Sequence, residues 1–178
     1  MSSLNRGNYL EFLEFRSREC TELATHLSSN VHYVSPQSQN EMIQLIGKNV
    51  QMHILKEIKS ASLFSIICDE TMDISRMEQF SLCVRYVTPD LGVRERFLGF
   101  WHAKSTDGES LLELLLSIFQ NLELNVTNVR AQCCDGASSM RGKYSGLATR
   151  VKELEPRAIY IHCHAHLLNL TLQNWLFY

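Results

Sequence analysis

Two apolar segments that end in acidic residues dominate the hydrophobic pattern of this chain. Residues 64–68 are followed by Asp69 and Glu70, and residues 129–134 are followed by Asp135. A short apolar run that stops at a carboxylate is typical of a buried strand with a polar side chain at its carboxyl end. The pattern therefore predicts two strands that end at Asp69 and Asp135, and we expect their carboxylates to lie side by side.

The rest of the hydrophobic pattern alternates between helix-like and strand-like periods. Apolar residues recur every four positions from Met42 to Ile58, which we interpret as the packing face of a helix. From Phe80 to Tyr86, apolar and polar residues alternate as in a half-buried strand. Strands are predicted over residues 63–68, 80–86, 93–103, 129–134 and 158–163, and helices over residues 8–27, 36–59, 111–122, 140–154 and 167–176.

This order of elements predicts the fold class. Three consecutive strands with short connections favour an antiparallel meander, and helices separate the later strands. The order β-β-β-α-β-α-β-α, with acids after the first and fourth strands, resembles an RNase H-like fold, in which those two strands are neighbours. We therefore predict an α/β protein with an RNase H-like mixed sheet over residues 63–178 and an N-terminal helical region over residues 1–62.

Composition narrows the classes of function. The chain has 178 residues, which suits one well-buried core, and a net charge of -2, so any nucleic-acid contact has to be local. Its six cysteines form no CxxC pair and lie mostly in apolar runs, which favours a reducing compartment. No signal peptide and no apolar run of membrane-spanning length are visible. These features predict a nuclear or cytoplasmic protein without a membrane partner.

The two predicted strand ends are candidate metal ligands. Two converged carboxylates can hold divalent cations about 3.5–4 Å apart for phosphoryl transfer, and Mg²⁺ suits such a site. Asp is also common at strand ends as a turn former, and Asp135 before Gly136 fits an Asx-type turn equally well. Glu70 and Asp73 are further candidates, although the polar segment that carries them explains both.

A dense group of His and Cys residues spans positions 162–166. Cys163 and His166 have the CxxH spacing of two zinc ligands, but a structural zinc site needs four ligands and no second pair stands at ligand spacing. The alternative is a strand end whose polar groups form local hydrogen bonds.

Basic residues follow Asp135 in the next predicted helix. Arg141, Lys143, Arg150 and Lys152 could contact phosphates beside the acid pair. A solvated helix face explains the same pattern.

Three motifs in order carry a resemblance to a known family. They are Cys68-Asp69-Glu70-Thr71, the segment Cys134-Asp135-Gly136-Ala137-Ser138-Ser139-Met140, and Cys163-His164-Ala165-His166-Leu167-Leu168-Asn169-Leu170. Together they resemble the catalytic domain of hAT-superfamily transposases, and more closely the transposase-derived domain of vertebrate MYM-type zinc-finger and THAP-domain proteins.

The resemblance implies a fold and a site. Members of this family have an RNase H-like fold and carry out metal-dependent DNA cleavage and strand transfer with three acids. By this resemblance Asp69 and Asp135 are the first two acids and bind Mg²⁺ or Mn²⁺ in an active protein. Cys163 and His166 correspond to the CxxH motif, which lies close to the active site and to the transposon end.

The third acid of the family, a Glu, follows a long helical insertion. No acid follows Glu155 here, and the chain ends at Tyr178 with four large apolar or aromatic residues, so we expect a chain truncated before the insertion. Without the third acid we expect weak metal binding and little or no nuclease activity.

The predicted function is a nucleic-acid-associated or protein-interaction module, with the 175–178 tail and an uncovered sheet edge as contact surfaces. Two alternatives stay open: the N-terminal part of an active DNA transposase, and a metal-free nucleic-acid binder.

Overall fold

The computed structural model describes residues 6–176, apart from the side chains of Asn174 and Leu176, and it contains a five-stranded mixed sheet. The strand order is β3-β2-β1-β4-β5. β1, β2 and β3 form the antiparallel meander, whereas β4 pairs parallel with β1 and β5 pairs parallel with β4. The predicted RNase H-like sheet, with its first and fourth strands adjacent, is confirmed. The strands are β1 (Phe64–Met72), β2 (Glu78–Val87), β3 (Val93–His102), β4 (Val129–Cys134) and β5 (Ile159–His162).

One face of this sheet is buried because the apolar residues alternate with the pleat of the strands. Phe64, Ile66 and Cys68 of β1 are all less than 5% exposed, and alternate residues from Phe80 to Tyr86 of β2 are also buried. They belong to one hydrophobic core cluster with residues of the helices. Of the helices, α3 (Pro36–Ala61), α4 (Gly108–Leu122), α5 (Ser138–Arg141) and α6 (Leu147–Leu154) contribute to that cluster, α5 through Met140 alone, while α1 (Asn8–Ser17), α2 (Thr21–Ser28) and α7 (His164–Leu176) complete the described α-helices.

β1 is longer than predicted, and this changes the position of the first acid. The strand continues past Cys68 to Met72, so Asp69 lies inside it. Pairing with β2 holds the polar end in place, since the antiparallel register continues through Thr71 and Gln79 to Met72 and Glu78. Backbone hydrogen bonds to a neighbouring strand therefore outweigh the polar composition of this segment.

Two predicted helices are each divided in the structure. The helix predicted over residues 8–27 consists of α1 and α2, because Cys20 takes an extended conformation between them. The basic helix predicted over residues 140–154 consists of α5 and α6, with the loop 142–146 between them. Predicted helix 167–176 instead begins at His164, as α7.

The chain divides into two compact units, residues 1–50 and 51–178. This division falls inside α3, and the boundary that we predicted after residue 62 stays a prediction. The apolar stripe of α3 changes character along the helix: Ile46 and Val50 are 64% and 54% exposed, whereas Ile54 and Ile58 are buried. The packing role predicted for the stripe is thus confirmed for Ile54 and Ile58, whereas Met42, Ile46 and Val50 are exposed. Within residues 6–176, no helix has the length and apolar character needed to cross a membrane.

Candidate metal site

Asp69 and Asp135 meet because β1 and β4 are parallel and in register. Ile67 pairs with Cys133, and each aspartate comes two residues later on its own chain segment. Alternate residues of a strand share a face, so both aspartates lie on the same side of the sheet. The side-by-side arrangement expected from the sequence is therefore present. The extension of β1 beyond Asp69 does not disturb it, because β2 rather than β4 pairs with that extension.

His166 is the third side chain of this cluster. One ligand atom from each of Asp69, Asp135 and His166 lies within 4.8 Å of the other two, and all three residues are partly buried. The imidazole Nε2 of His166 is 3.9 Å from Oδ1 of Asp69. Carboxylate oxygens and an imidazole nitrogen are ligands for Mn²⁺ and related divalent cations.

The start of α7 places His166 over the strand ends. The backbone N–H of Cys163 donates to the carbonyl of Cys134 at 2.9 Å, which keeps the chain against β4 for one residue after β5 ends. The N–H of Leu167 then donates to the carbonyl of Cys163 at 3.0 Å and begins the helix. His166 consequently lies in the first turn of α7, whereas the sequence had suggested a strand end for the whole His and Cys group.

Cys163 and His166 form one polar pair. A hydrogen bond with the Cys163 thiol is the main cause that raises the pKa of His166, and the Asp69 carboxylate adds to it. Burial opposes ionisation of the Cys163 thiol, but hydrogen bonds from the backbone and side chain of His166 outweigh it and lower the pKa of Cys163. Metal ligation requires the neutral imidazole, so a cation at this site competes with a proton on His166.

The Asx-type turn at Asp135 is also present. Oδ1 of Asp135 accepts a hydrogen bond from the N–H of Ala137 at 3.1 Å, as the structural alternative predicted. The hydroxyl of Tyr160 donates to the backbone carbonyls of Cys134 and Asp135, at 3.3 and 3.0 Å. The turn and the metal-ligand roles are compatible, because the turn orients the carboxylate and occupies only one of its oxygens.

Glu70 is a third acidic group, which the sequence pattern assigned to a polar loop. It lies on β1, and burial followed by the neighbouring carboxylates of Asp135, Glu78 and Asp69 raises its pKa to about 7. Its Oε1 atom is buried and has no hydrogen-bond partner among the described residues. Nδ1 of His166 is also buried, and no described residue other than Cys163 offers it a hydrogen bond. An imidazole with a buried Nδ1, beside two carboxylates, is a group that a bound divalent cation would stabilise, whereas Glu70 is not part of the Asp69, Asp135 and His166 cluster.

Asp73, the other candidate in the polar segment, belongs to the β1–β2 turn. Its carboxylate accepts hydrogen bonds from the N–H of Met77 at 2.9 Å and from Nε2 of Gln79 at 3.1 Å. These bonds give Asp73 a structural role in the turn. Asp73 is not part of the Asp69, Asp135 and His166 cluster.

The structure also separates the basic residues that follow Asp135. Arg141, Lys143 and Lys152 line one pocket together with Tyr160. Arg150 instead lies 3.5 Å from the carboxylate of Glu109 on α4.

The fold and the acid-lined strand ends define an RNase H-like domain, and comparison with known proteins identifies its family. Residues 1–146 match the family described as the ZMYM1/FAM200, RNase-like domain, so the chain belongs to that family. The predicted resemblance to the domain of MYM-type zinc-finger proteins is thereby confirmed. The matched range includes Asp69 and Asp135 but ends before Cys163 and His166.

Two relatives carry the same printed name, "52 kDa repressor of the inhibitor of the protein kinase". The human protein is 30% identical to this chain over 144 residues, and the mouse protein is 29% identical over 144 residues. Each alignment covers 80% of this chain but only 19% of the relative. The chain therefore spans about a fifth of the length of the curated relatives it matches.

Proposed function

We propose that this protein is a hAT transposase-derived domain that keeps a divalent-cation site and acts in the nucleus as a nucleic-acid-associated module. In this proposal it does not cleave DNA by itself. The observation that carries the proposal is the convergence of Asp69, Asp135 and His166 within 4.8 Å at adjacent strand ends of an RNase H-like sheet.

The set of protein ligands favours Mn²⁺, and we expect Mg²⁺ to bind more weakly. Carboxylate oxygens suit both cations, but an imidazole nitrogen suits Mn²⁺ better than the harder Mg²⁺. Asp69, Asp135 and His166 would hold the cation. When bound, such a cation polarises a phosphoryl oxygen, which is the chemistry of the ancestral reaction.

The protonation of Glu70 indicates that cation binding is weak. Its carboxyl group is close to half protonated at neutral pH, because its pKa is about 7. A cation at Asp69 and Asp135 favours the ionised form of Glu70, so its binding is coupled to release of this proton as well as of any proton on His166. We therefore expect a dissociation constant of about 1 mM, in the range of weak oxygen-ligand sites.

The human and mouse relatives support a regulatory role. Both are named as a repressor that acts on an inhibitor of a protein kinase. A domain of a transposase family within a repressor fits binding to nucleic acid or protein better than DNA transposition. Nuclear localisation belongs to the same proposal, because nucleic acid is the partner expected for the module.

A thermal-shift titration with Mn²⁺ tests the cation site. With a dissociation constant of about 1 mM, addition of about 5 mM Mn²⁺ stabilises the folded state by about 1 kcal/mol. For a domain of this size that raises the Tm by about 2–4 °C. Asp69→Asn and His166→Ala should abolish the shift, and Asp135→Asn should too, although Asn keeps an oxygen for the turn at Ala137.

Glu113→Gln is the matched control, because Glu113 is exposed on α4 and is not part of the Asp69, Asp135 and His166 cluster. It should keep the full Mn²⁺ shift. An equal shift in the Asp69→Asn variant would show that Mn²⁺ binds elsewhere and would contradict the site.

A plasmid-nicking assay with Mn²⁺ tests the absence of cleavage. We expect the wild-type chain and Asp69→Ala to give the same background. Nicking that is lost in Asp69→Ala would favour the alternative function, part of an active DNA transposase.

A further inference from the structure

Three cationic side chains converge on a pocket next to the acid pair. Arg141 comes from α5, Lys143 from the loop 142–146 and Lys152 from α6, and the ring of Tyr160 from β5 lines the same pocket. Its volume is about 370 Å³, and no carboxylate is among its described lining residues. The pocket therefore combines positive charge with room for a small anion.

These three cations have no anionic partner within the part of the chain that the structure describes. No ion pair or side-chain hydrogen bond joins Arg141, Lys143 or Lys152 to another described residue, although the Arg141 guanidinium lies 5.4 Å from the centroid of the Tyr160 ring. Two cations near them in sequence, Arg150 and Arg157, each pair with a glutamate, so what distinguishes the pocket is that three cations without an ion pair to a described residue line the same cavity. Clustered, unpaired cations indicate a ligand of opposite charge from outside the chain.

The loop between α5 and α6 holds the pocket in shape. The N–H of Gly142 donates to the carbonyl of Ser138 at 2.9 Å, and the N–H of Gly146 donates to the carbonyl of Gly142 at 3.0 Å. The hydroxyl of Thr149 donates to the same Gly142 carbonyl at 3.0 Å. A Cβ atom at Gly142 would lie 2.4 Å from the Ser138 oxygen, so only glycine permits this close approach. Arg141 and Lys143, on either side of Gly142, are therefore held on a fixed backbone.

An exposed aromatic ring stands at the edge of the pocket. Tyr144 is 83% exposed, and Nζ of Lys143 lies 5.4 Å from the centroid of its ring. A cationic groove beside an exposed aromatic ring is the arrangement that binds single-stranded nucleic acid, because the cations contact phosphates and an unpaired base stacks on the ring. A base within a duplex is already stacked and cannot use this surface.

We propose that this pocket binds a backbone phosphate of single-stranded nucleic acid through Arg141, Lys143 and Lys152, with a neighbouring base stacked on Tyr144. The inference rests on the proposed function, since it identifies the nucleic acid with which the module associates. Tyr160 connects the two sites, because its ring lines the pocket and its hydroxyl donates to the backbone carbonyl of Asp135. Tyr160 is therefore in contact with both the pocket and the turn that carries Asp135.

Fluorescence anisotropy with a labelled oligothymidine of about 20 nucleotides tests the pocket on the full 178-residue chain. EDTA is present throughout, so the result does not depend on the cation site. The double variant Lys143→Ala/Lys152→Ala should weaken binding by about tenfold and reduce the slope of log affinity against log salt by about 1.4, or 0.7 for each lost phosphate contact.

The charge-matched control is Lys56→Ala/Lys104→Ala, which removes two exposed lysines outside the pocket. It should bind within about twofold of wild type and keep the wild-type salt slope. Equal losses in both double variants would mean diffuse electrostatic attraction and would overturn the pocket. Thermal unfolding of each variant confirms that it is folded.

Tyr144 distinguishes an unpaired strand from other sources of phosphate. Tyr144→Ala should weaken oligothymidine binding by about tenfold, whereas Tyr144→Phe, which keeps the ring, should bind as wild type. A duplex of the same length should bind more weakly and should be insensitive to Tyr144→Ala. If inorganic phosphate displaces the oligonucleotide at equal concentrations of phosphate groups and Tyr144→Ala has no effect, the pocket takes a free phosphate and the proposal is wrong.

The two proposals fail separately. Absence of the Mn²⁺ shift with normal oligonucleotide binding in EDTA removes the cation site and leaves the pocket. A normal Mn²⁺ shift, with equal oligonucleotide binding by the two lysine double variants, would instead remove the pocket and leave the cation site.

Discussion

Replacement of Glu70 by glutamine should stabilise the protein at alkaline pH. The pKa of Glu70 rises from 4.5 to about 7 because of burial and the carboxylates of Asp135, Glu78 and Asp69. A raised acid pKa means that the folded state holds the proton more tightly than the unfolded chain. This contribution to stability is complete below pH 4.5 and is lost as the pH rises through about 7.

The size of the effect follows from the same pKa values. At about 1.4 kcal/mol for each pH unit, the interval between 4.5 and about 7 corresponds to an upper limit of about 3.5 kcal/mol. Glu70 is only partly buried, so solvent screening reduces the expected value to about 1–2 kcal/mol. Glutamine has the shape of the protonated acid and never ionises. Glu70→Gln should therefore equal wild type near pH 4 and be about 1–2 kcal/mol more stable at pH 8.

Urea denaturation of both proteins in EDTA at pH 4, 6 and 8 measures this difference. Glu113→Gln on the exposed side of α4 is the matched control and should show no pH-dependent gain. Addition of Mn²⁺ at pH 8 should narrow the gap, because a cation beside Asp69 and Asp135 offsets the repulsion on Glu70. A Glu70→Gln variant that is less stable than wild type at pH 8, or that differs equally at every pH, would refute the reasoning.

Two further predictions concern the support of the site. Gly108→Ala should destabilise the fold by about 1–3 kcal/mol in urea denaturation, because the new Cβ would lie 2.1 Å from the backbone oxygen of Ser145. A backbone oxygen cannot move aside as a side chain can. Unchanged stability would show that this contact relaxes. The side chain of Glu155 is 3% exposed, and hydrogen bonds from Arg157, with a further charge on Arg130, lower its pKa to about 2. Its contribution to stability should therefore be present above pH 4.5 and be lost between pH 4.5 and about 2. Glu155→Gln should flatten the fall of Tm with decreasing pH in this range. A fall of the same steepness in wild type and variant would contradict this.

The sheet and the acid pair were predictable because they depend on local periodicity and on one rule of topology. Alternating apolar residues define β1 and β2, and the parallel neighbours β1 and β4 bring their ends together once the fold class is known. Asp69 and Asp135 could therefore be paired from sequence alone. The extension of β1 to Met72 could not, since only hydrogen bonds to β2 hold those polar residues in a strand.

The remaining members of the site depend on contacts between distant parts of the chain. His166 joins the aspartates because Cys163 is hydrogen-bonded to the carbonyl of Cys134, and the spacing of His and Cys residues does not report such a bond. The unusual state of Glu70 comes from burial and from Asp135, which is far away in sequence. No local pattern carries that information, although an acid directly after Asp69 was a signal worth following.

The positions of the basic residues were also not predictable from sequence. They show that the surface has a basic part and an acidic part. The sequence grouped Arg150 with its neighbours, but an ion pair with Glu109 of α4 sets it apart from the three cations that line the pocket with Tyr160. The hydroxyl of Tyr160 bonds to the backbone of Asp135, one of the carboxylates that, together with the larger effect of burial, raise the pKa of Glu70. A phosphate chain bound in the pocket meets attraction on one side of Tyr160 and repulsion on the other. In the proposed function a divalent cation at the aspartates would reverse that repulsion, and the cation site and the pocket would then act as two halves of one nucleic-acid surface, of which only the basic half is complete without metal.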